Sequence, residues 1–367
     1  MVEKNMNENI YDIFFELMQL SLGNREELKH QPTEDEWMAL LDIADRQKLI
    51  GVLYPGVESA FKDYVGFKPD VLYEWYSIKQ KIVDVNSLLN RRVKQLADVL
   101  SEEGIKSCVL KGQGTALYYD KPELRQCGDI DMWVEGDRDD ILAFARSKGF
   151  LVNNIESKHI EIEVFKDVSV ELHYKPSLLY NPFANKKLQR FFKEKADKQF
   201  RNFDDRAGFV HTTIDFDLVF SMVHIYRHVF SVGIGLRQLM DYYYILKNST
   251  DEQRKAAYEV LKSLRMKTFA GGMMWILHSQ MGLDKTFLLC EPNIKCGKFQ
   301  LNEILRSGNF GEYDERFKNI DNNNRFIRGL VKIKRNLSYL PFYPAEVLWA
   351  PMWMLWHYCW RKQKGYL

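Results

Sequence analysis

Cysteine is scarce: five thiols are scattered through 367 residues, at positions 108, 127, 290, 296 and 359. None forms a Cys-x-x-Cys pair, and the 290/296 spacing has no histidine beside it, which argues against zinc. Isolated thiols in odd number fit a reducing compartment. The polar start MVEKNMNENIYD lacks the apolar centre of a secretory signal, so a cytoplasmic location is expected. A charge excess of either sign is also missing, since 52 basic side chains face 50 acidic ones. That balance excludes a broad nucleic-acid surface. The longest uncharged apolar run, residues 347–360, is broken by Pro351 and His357 and falls short of the ~20 residues that span a bilayer. With Arg361, Lys362 and Lys364 behind it, the run could rest on a membrane surface. Packing on its own domain is the preferred reading. Repeats and low-complexity segments are absent.

What remains is an ordinary globular composition, 46% hydrophobic and 28% charged, in a chain long enough for two or three domains. Residues 1–104 read as helices. Thr33-Glu34-Asp35-Glu36 has the form of a capping box, with Trp37, Leu40, Leu41 and Ala44 following at helical spacing. Ile82, Val85, Leu89, Val93, Leu96 and Leu100 then mark one face of a helix that runs up to Gly104.

The pattern changes over residues 105–176. Lys106 to Leu110 reads as a strand that ends in Lys111-Gly112-Gln113-Gly114 and turns into a short helix, Thr115 to Tyr119. Ile130 to Val134 reads as a second strand, and Arg138 to Lys148 as a helix between an Asp137 cap and a Gly149 stop. Two alternating segments follow, 159–165 and 169–174. Joined by a three-residue loop at 166–168, they would set Val164 against Val170 and Glu163 against Glu171. Residues 177–367 return to helix, with Asn181 to Arg206 irregular and 308–324 a connector. Helices are predicted at 217–230, 236–247 and 270–281.

The chemistry concentrates in Gly128-Asp129-Ile130-Asp131. Residues two apart on a strand share a face, so both carboxylates point one way while Ile130, Met132 and Val134 can enter a core. Carboxylates held this close repel unless a cation or proton intervenes, and hard oxygen ligands suit Mg²⁺ or Mn²⁺ alongside substrate phosphates. The glycine turn permits close backbone approach to phosphate. Arg125, in the loop before Asp129, could bring a guanidinium to the same group. Glu171 lies on the polar side of an alternating strand, where it could join the two aspartates.

The segment LKGQGTALYYDKPELRQCGDIDMWV, followed by VSVELHYKP, resembles an uncharacterised bacterial nucleotidyltransferase family of the polymerase-β-like superfamily. The resemblance implies an α+β fold: a small mixed-sheet nucleotidyltransferase core flanked by N-terminal and C-terminal helical regions. It implies that Asp129, Asp131 and Glu171 are the catalytic, metal-binding carboxylates, and that Lys111, Gly112, Gln113, Gly114 and Arg125 meet the nucleotide. The implied reaction moves NMP from an NTP to a hydroxyl on a sugar, small metabolite, protein or RNA, releasing pyrophosphate. Gln113 stands where the superfamily usually has serine or glycine. The alternative is therefore an inactive nucleotide-binding or protein-interaction module on the same fold.

Several other features have plainer readings. Asp215-Phe216-Asp217 is a second acidic pair, explained by a helix start. His224 and His228 share a helix face without a zincin glutamate. Arg237 and Asp241 fit an i,i+4 ion pair; His228 could line the acceptor wall, and by resemblance Arg237 and Asp241 would line it too. An aspartate-nucleophile phosphatase is disfavoured, because Met132 follows the pair.

Overall fold

The computed structural model describes residues 2–62, 70–317 and 325–366. Four helices open the chain: α1 (Val2–Ser21), α2 (Glu34–Arg46), α3 (Ile50–Ala60) and α4 (Asp70–Glu102). The capping box is present, with Thr33 accepting from the Glu36 N–H and Glu36 reaching back to the cap. On α4, Ile82, Leu89, Val93, Leu96 and Leu100 are buried as their spacing requires, whereas Val85 is exposed. The neighbouring Asn86 is buried instead and donates to the carbonyls of Glu123 and Arg125.

The middle of the chain runs β1 (Ser107–Val109), α5 (Gln113–Ala116), β2 (Asp129–Val134), α6 (Arg138–Ser147), β3 (Leu151–Ile155), β4 (His159–Glu163) and β5 (Ser169–His173). The short helix begins at Gln113, two residues before its predicted start. The five strands form one sheet in the order β1-β2-β5-β4-β3, in which only the β2–β5 pair is parallel. Strand β3 escapes the alternation rule, because it is an edge strand with Leu151 and Val152 exposed.

The β4–β5 register differs from the expected one by two residues. Ile162 pairs with Val170 and Glu161, not Glu163, lies across from Glu171. A slip of two keeps every side chain on its face, so the hydrophobic pattern cannot detect it. The longer connection, residues 164–168, is held by a fork from Arg92 to Asp167 at 3.1 and 2.6 Å. Arg92 also stacks over Phe165, and Val168 is buried.

The C-terminal part contains α7 (Pro182–Gln199), β6 (Phe203–Asp204), β7 (Phe209–Val210), α8 (Ile214–Ser231), α9 (Leu236–Lys247), α10 (Asp251–Ser263), α11 (Lys267–Ser279), α12 (Ile294–Ser307), α13 (Arg325–Leu337) and α14 (Pro344–Lys364). Helix α7 corrects the irregular reading of 181–206. Asn181 caps it and Pro182 starts it, while Ala184, Leu188 and Phe192, flanked by Phe191 and Ala196, carry its apolar stripe among many charges. Of the connector 308–324, residues 309–311 and 315–317 are short 3₁₀ turns, and 318–324 lie outside the described residues.

The sheet separates two cores. Ile130, Met132 and Val134 pack with Val170, Leu172 and the faces of α4 and α6. The opposite face continues through Trp133, which stacks on Phe216 at 5.5 Å, into a core that α1–α3 share with α7–α12. The acidic side of β2 therefore faces helices α8 and α9.

Candidate active site

Parallel pairing of β2 with β5 sets Asp131 directly beside Glu171, with Asp129 opposite Ser169. Three carboxylates from two separate stretches thus share one face of the sheet. The strand of Lys111 is tied to the same level, because the Leu110 N–H donates to the Asp131 carbonyl. Lys111 Nζ then lies 2.9 Å from Asp131 Oδ1. The chain leaves β1 through Gly112 at φ +61° and ψ −115°, a backbone state open to glycine and strained for residues with a Cβ. Gln113 turns away from this face: its amide is buried and donates to Asn90 Oδ1 at 2.7 Å, fastening the turn to α4.

Two histidines that pattern reading missed complete the cluster. His173 Nε2 lies 2.9 Å from Asp131 Oδ1 and 3.2 Å from Glu171 Oε2, and His159 Nδ1 lies 3.0 Å from the same Glu171 oxygen. His159 and His173 are register partners. His173 could have been found from its place two residues beyond Glu171, but His159 required the correct β4–β5 register. His159, Glu171 and His173 place three possible metal-ligand atoms within 4.8 Å of one another. Asp131 Oδ2 is buried without a hydrogen-bond partner among the described residues.

The electrostatics follow from crowding. Asp129 is raised above the usual carboxylate range by the like charge of Asp131 and by burial. Burial also pushes Asp131 upward, but Lys111 and His173 outweigh it and hold the group ionised. Glu171 is likewise lowered, burial being overcome by the close His159 and His173 rings. Burial opposes the Lys111 charge, yet Asp131, Asp129 and Glu171 raise its pKa, so the ammonium persists. His159 is lowered to about 4 by burial and is neutral at pH 7. Lys158, in the β3–β4 turn, is lowered to about 8 by burial against the pull of Glu171.

A narrow cleft, about 40 Å³ in volume, opens beside this face. Lys111, Gly112, Asp129 and Asp131 form one wall, and His224, Arg237, Asp241 and Phe310 the other. The expected Arg237–Asp241 pair does not form. Asp241 is taken instead by Arg125, whose Nε and Nη2 donate to its two oxygens at 2.7 and 2.8 Å. Arg125 lines the cleft, but its guanidinium is buried and committed to that fork and to Cys127 Sγ. Arg237 is left reaching the Gln126 carbonyl at 3.3 Å. His224 faces the cleft, while His228 packs behind it with ring centroids 4.3 Å apart and against Phe310. Burial keeps both rings neutral.

The second acidic pair lies elsewhere. Asp215 bridges to Lys198 at 2.8 Å, and Asp217 is buried and accepts from the Thr212 and Tyr118 hydroxyls. Neither caps α8. Burial raises Asp217 to about 7, only partly countered by those donors. The folded chain thus holds this proton more tightly than the unfolded one, and stability falls as pH rises from about 4 to about 7. Asp217→Asn cannot ionise. Its stability relative to the parent is expected to improve by roughly 2–3 kcal/mol between pH 5 and pH 8 in urea melts. A pH-independent difference would contradict this assignment.

A mixed sheet with flanking helices, and with paired aspartates beside a lysine-glycine turn, is consistent with a nucleotidyltransferase domain. The chain belongs to the uncharacterised nucleotidyltransferase family, whose model matches residues 33–282, from the α2 cap through the whole sheet to the end of α11. No curated protein matches the chain.

Proposed function

We propose that this chain transfers NMP from an NTP to a hydroxyl acceptor with release of pyrophosphate, and that Asp129, Asp131 and Glu171 hold the divalent ion, Mg²⁺ or Mn²⁺, that the reaction needs. The supporting observation is the parallel register that places Asp131 beside Glu171, with Asp129 two residues upstream on the same face. The donor set fits a cation: its carboxylate charges exceed what Lys111 neutralises, and one buried Asp131 oxygen lacks a partner among the described residues. His159 and His173 extend the donor set on the Glu171 side. When bound, the ion would neutralise charge on the attacking and leaving oxygens.

The remaining work falls to the chain's own residues. The Lys111 ammonium, kept charged by its three acidic neighbours, is placed to meet phosphate oxygens at the cleft wall. Gly112 lets the backbone come close without a side chain between. Asp129 faces the cleft beside Asp131, where it would hold the ion against the substrate, and Glu171 could accept the proton that leaves the acceptor hydroxyl. The acceptor oxygen bonds to the α-phosphorus as the bond to pyrophosphate breaks. Arg237 and His224 line the side opposite the carboxylates and would contact the acceptor.

Incubation with each of the four NTPs, a divalent ion and pooled acceptors tests the proposal. The expected result is metal-dependent pyrophosphate release that stops on chelation. NTP that binds and is never consumed with any acceptor pool would overturn transfer and favour the inactive module.

A further inference from the structure

The last two helices carry a surface that the cleft does not use. Helix α14 rests on the helical core through Val347, Ala350 and the half-buried Trp349 and Trp353, as expected for packing on its own domain. Its other side is exposed. Leu348, Met352, Leu355 and Trp356 are 54–67% exposed and fall at i, i+4, i+7 and i+8, a single stripe. Helix α13, which packs against α14, adds Leu330 and Leu337, each more than half exposed and seven residues apart on one side. Lone exposed leucines need no explanation, but two adjoining apolar stripes do.

The charge of this region points to the occupant. Residues 325–366 contain eight Lys or Arg and one acidic residue, a net charge of +7, whereas the whole chain carries +2. The other residues therefore sum to −5. The one acid, Glu346, is buried and accepts from the Tyr180 and Asn181 N–H groups, while Arg335 and Arg361 turn inward to the Val229 carbonyl and to Glu156, so the exposed lysines carry the charge of the outer face. Lys334 and Lys362 are exposed and lie along the two apolar stripes by helical spacing. A second copy docked about a twofold axis would bring one such basic face against another, which like charge disfavours. Among the described residues no helix is long and apolar enough to cross a membrane. Leucine and tryptophan beside lysine on an in-plane helix match the boundary between acyl chains and anionic headgroups.

We infer that the outer face of α13 and α14 docks on an anionic lipid bilayer, lying in the interface without spanning it. The test is co-sedimentation of the full chain with vesicles of phosphatidylcholine alone or mixed with phosphatidylglycerol, at low and high salt. Binding at least tenfold tighter to the anionic vesicles, weakened by salt, is expected. Leu355→Ser/Trp356→Ser, and separately Lys334→Glu/Lys362→Glu, should each lose at least tenfold in binding while keeping the parental melting temperature. Equal affinity for both vesicle types, or none for either, overturns the inference. So does a parental dimer that the serine variant converts to monomer, because a second copy would then cover the face.

Discussion

Asp129→Asn is expected to lower the rate of transfer by ~10³-fold or more while leaving the chain as stable as the parent, or more stable, in metal-free buffer. The rate loss follows from removing one of the three carboxylates that share this face of the sheet. The stability follows from the sign of the local field: Asp131 repels a charge on Asp129, and burial adds to the penalty. A neutral side chain of the same shape escapes both. Asp131→Asn should lose activity equally but melt at a lower temperature, since Lys111 and His173 both lean on that carboxylate at 2.9 Å. Initial rates of pyrophosphate release, with thermal melts in chelator, separate the two variants. A parental rate in Asp129→Asn would remove the catalytic reading of the acidic face, and a marked loss of stability would remove the electrostatic one.

Asp241→Ala is expected to cost ~3–5 kcal/mol in urea unfolding, the usual penalty for stranding one member of a buried ion pair. The Arg125 guanidinium is almost fully buried, and both of its bonds to Asp241 are short. The partner that loses Asp241 has nowhere to go. Asn86 grips the carbonyls of Glu123 and Arg125 from α4 and keeps the loop in place. Replacing both members with apolar groups, Arg125→Met/Asp241→Leu, should recover most of the loss, because the unpaired charge goes with its counter-charge. A single variant within about 1 kcal/mol of the parent would mean that water reaches the guanidinium.

The Asp129/Asp131 pair was legible because strand alternation is a local rule, and the Gly112 turn because a positive φ selects glycine. The helices 82–100 and 236–247 were legible for the same reason of short-range spacing. What pattern could not decide was distance through space. The Arg125–Asp241 fork joins residues 116 positions apart, so the i,i+4 pairing of Arg237 with Asp241 was the natural reading and the wrong one. The β4–β5 slip by two residues left both faces unchanged and altered only who meets whom, which is why His159 stayed out of view. Strand β3, polar and at the edge, offered no alternation to read.

The backbone ladder between β2 and β5 fixes the spacing of Asp131 and Glu171 without help from any loop. The opposite wall, His224, Arg237 and Phe310, belongs to helices and turns outside that ladder. Under the proposed reading, changes in α8, α9 and the turn at Phe310 would reshape the acceptor wall and leave the spacing of the carboxylates as it is.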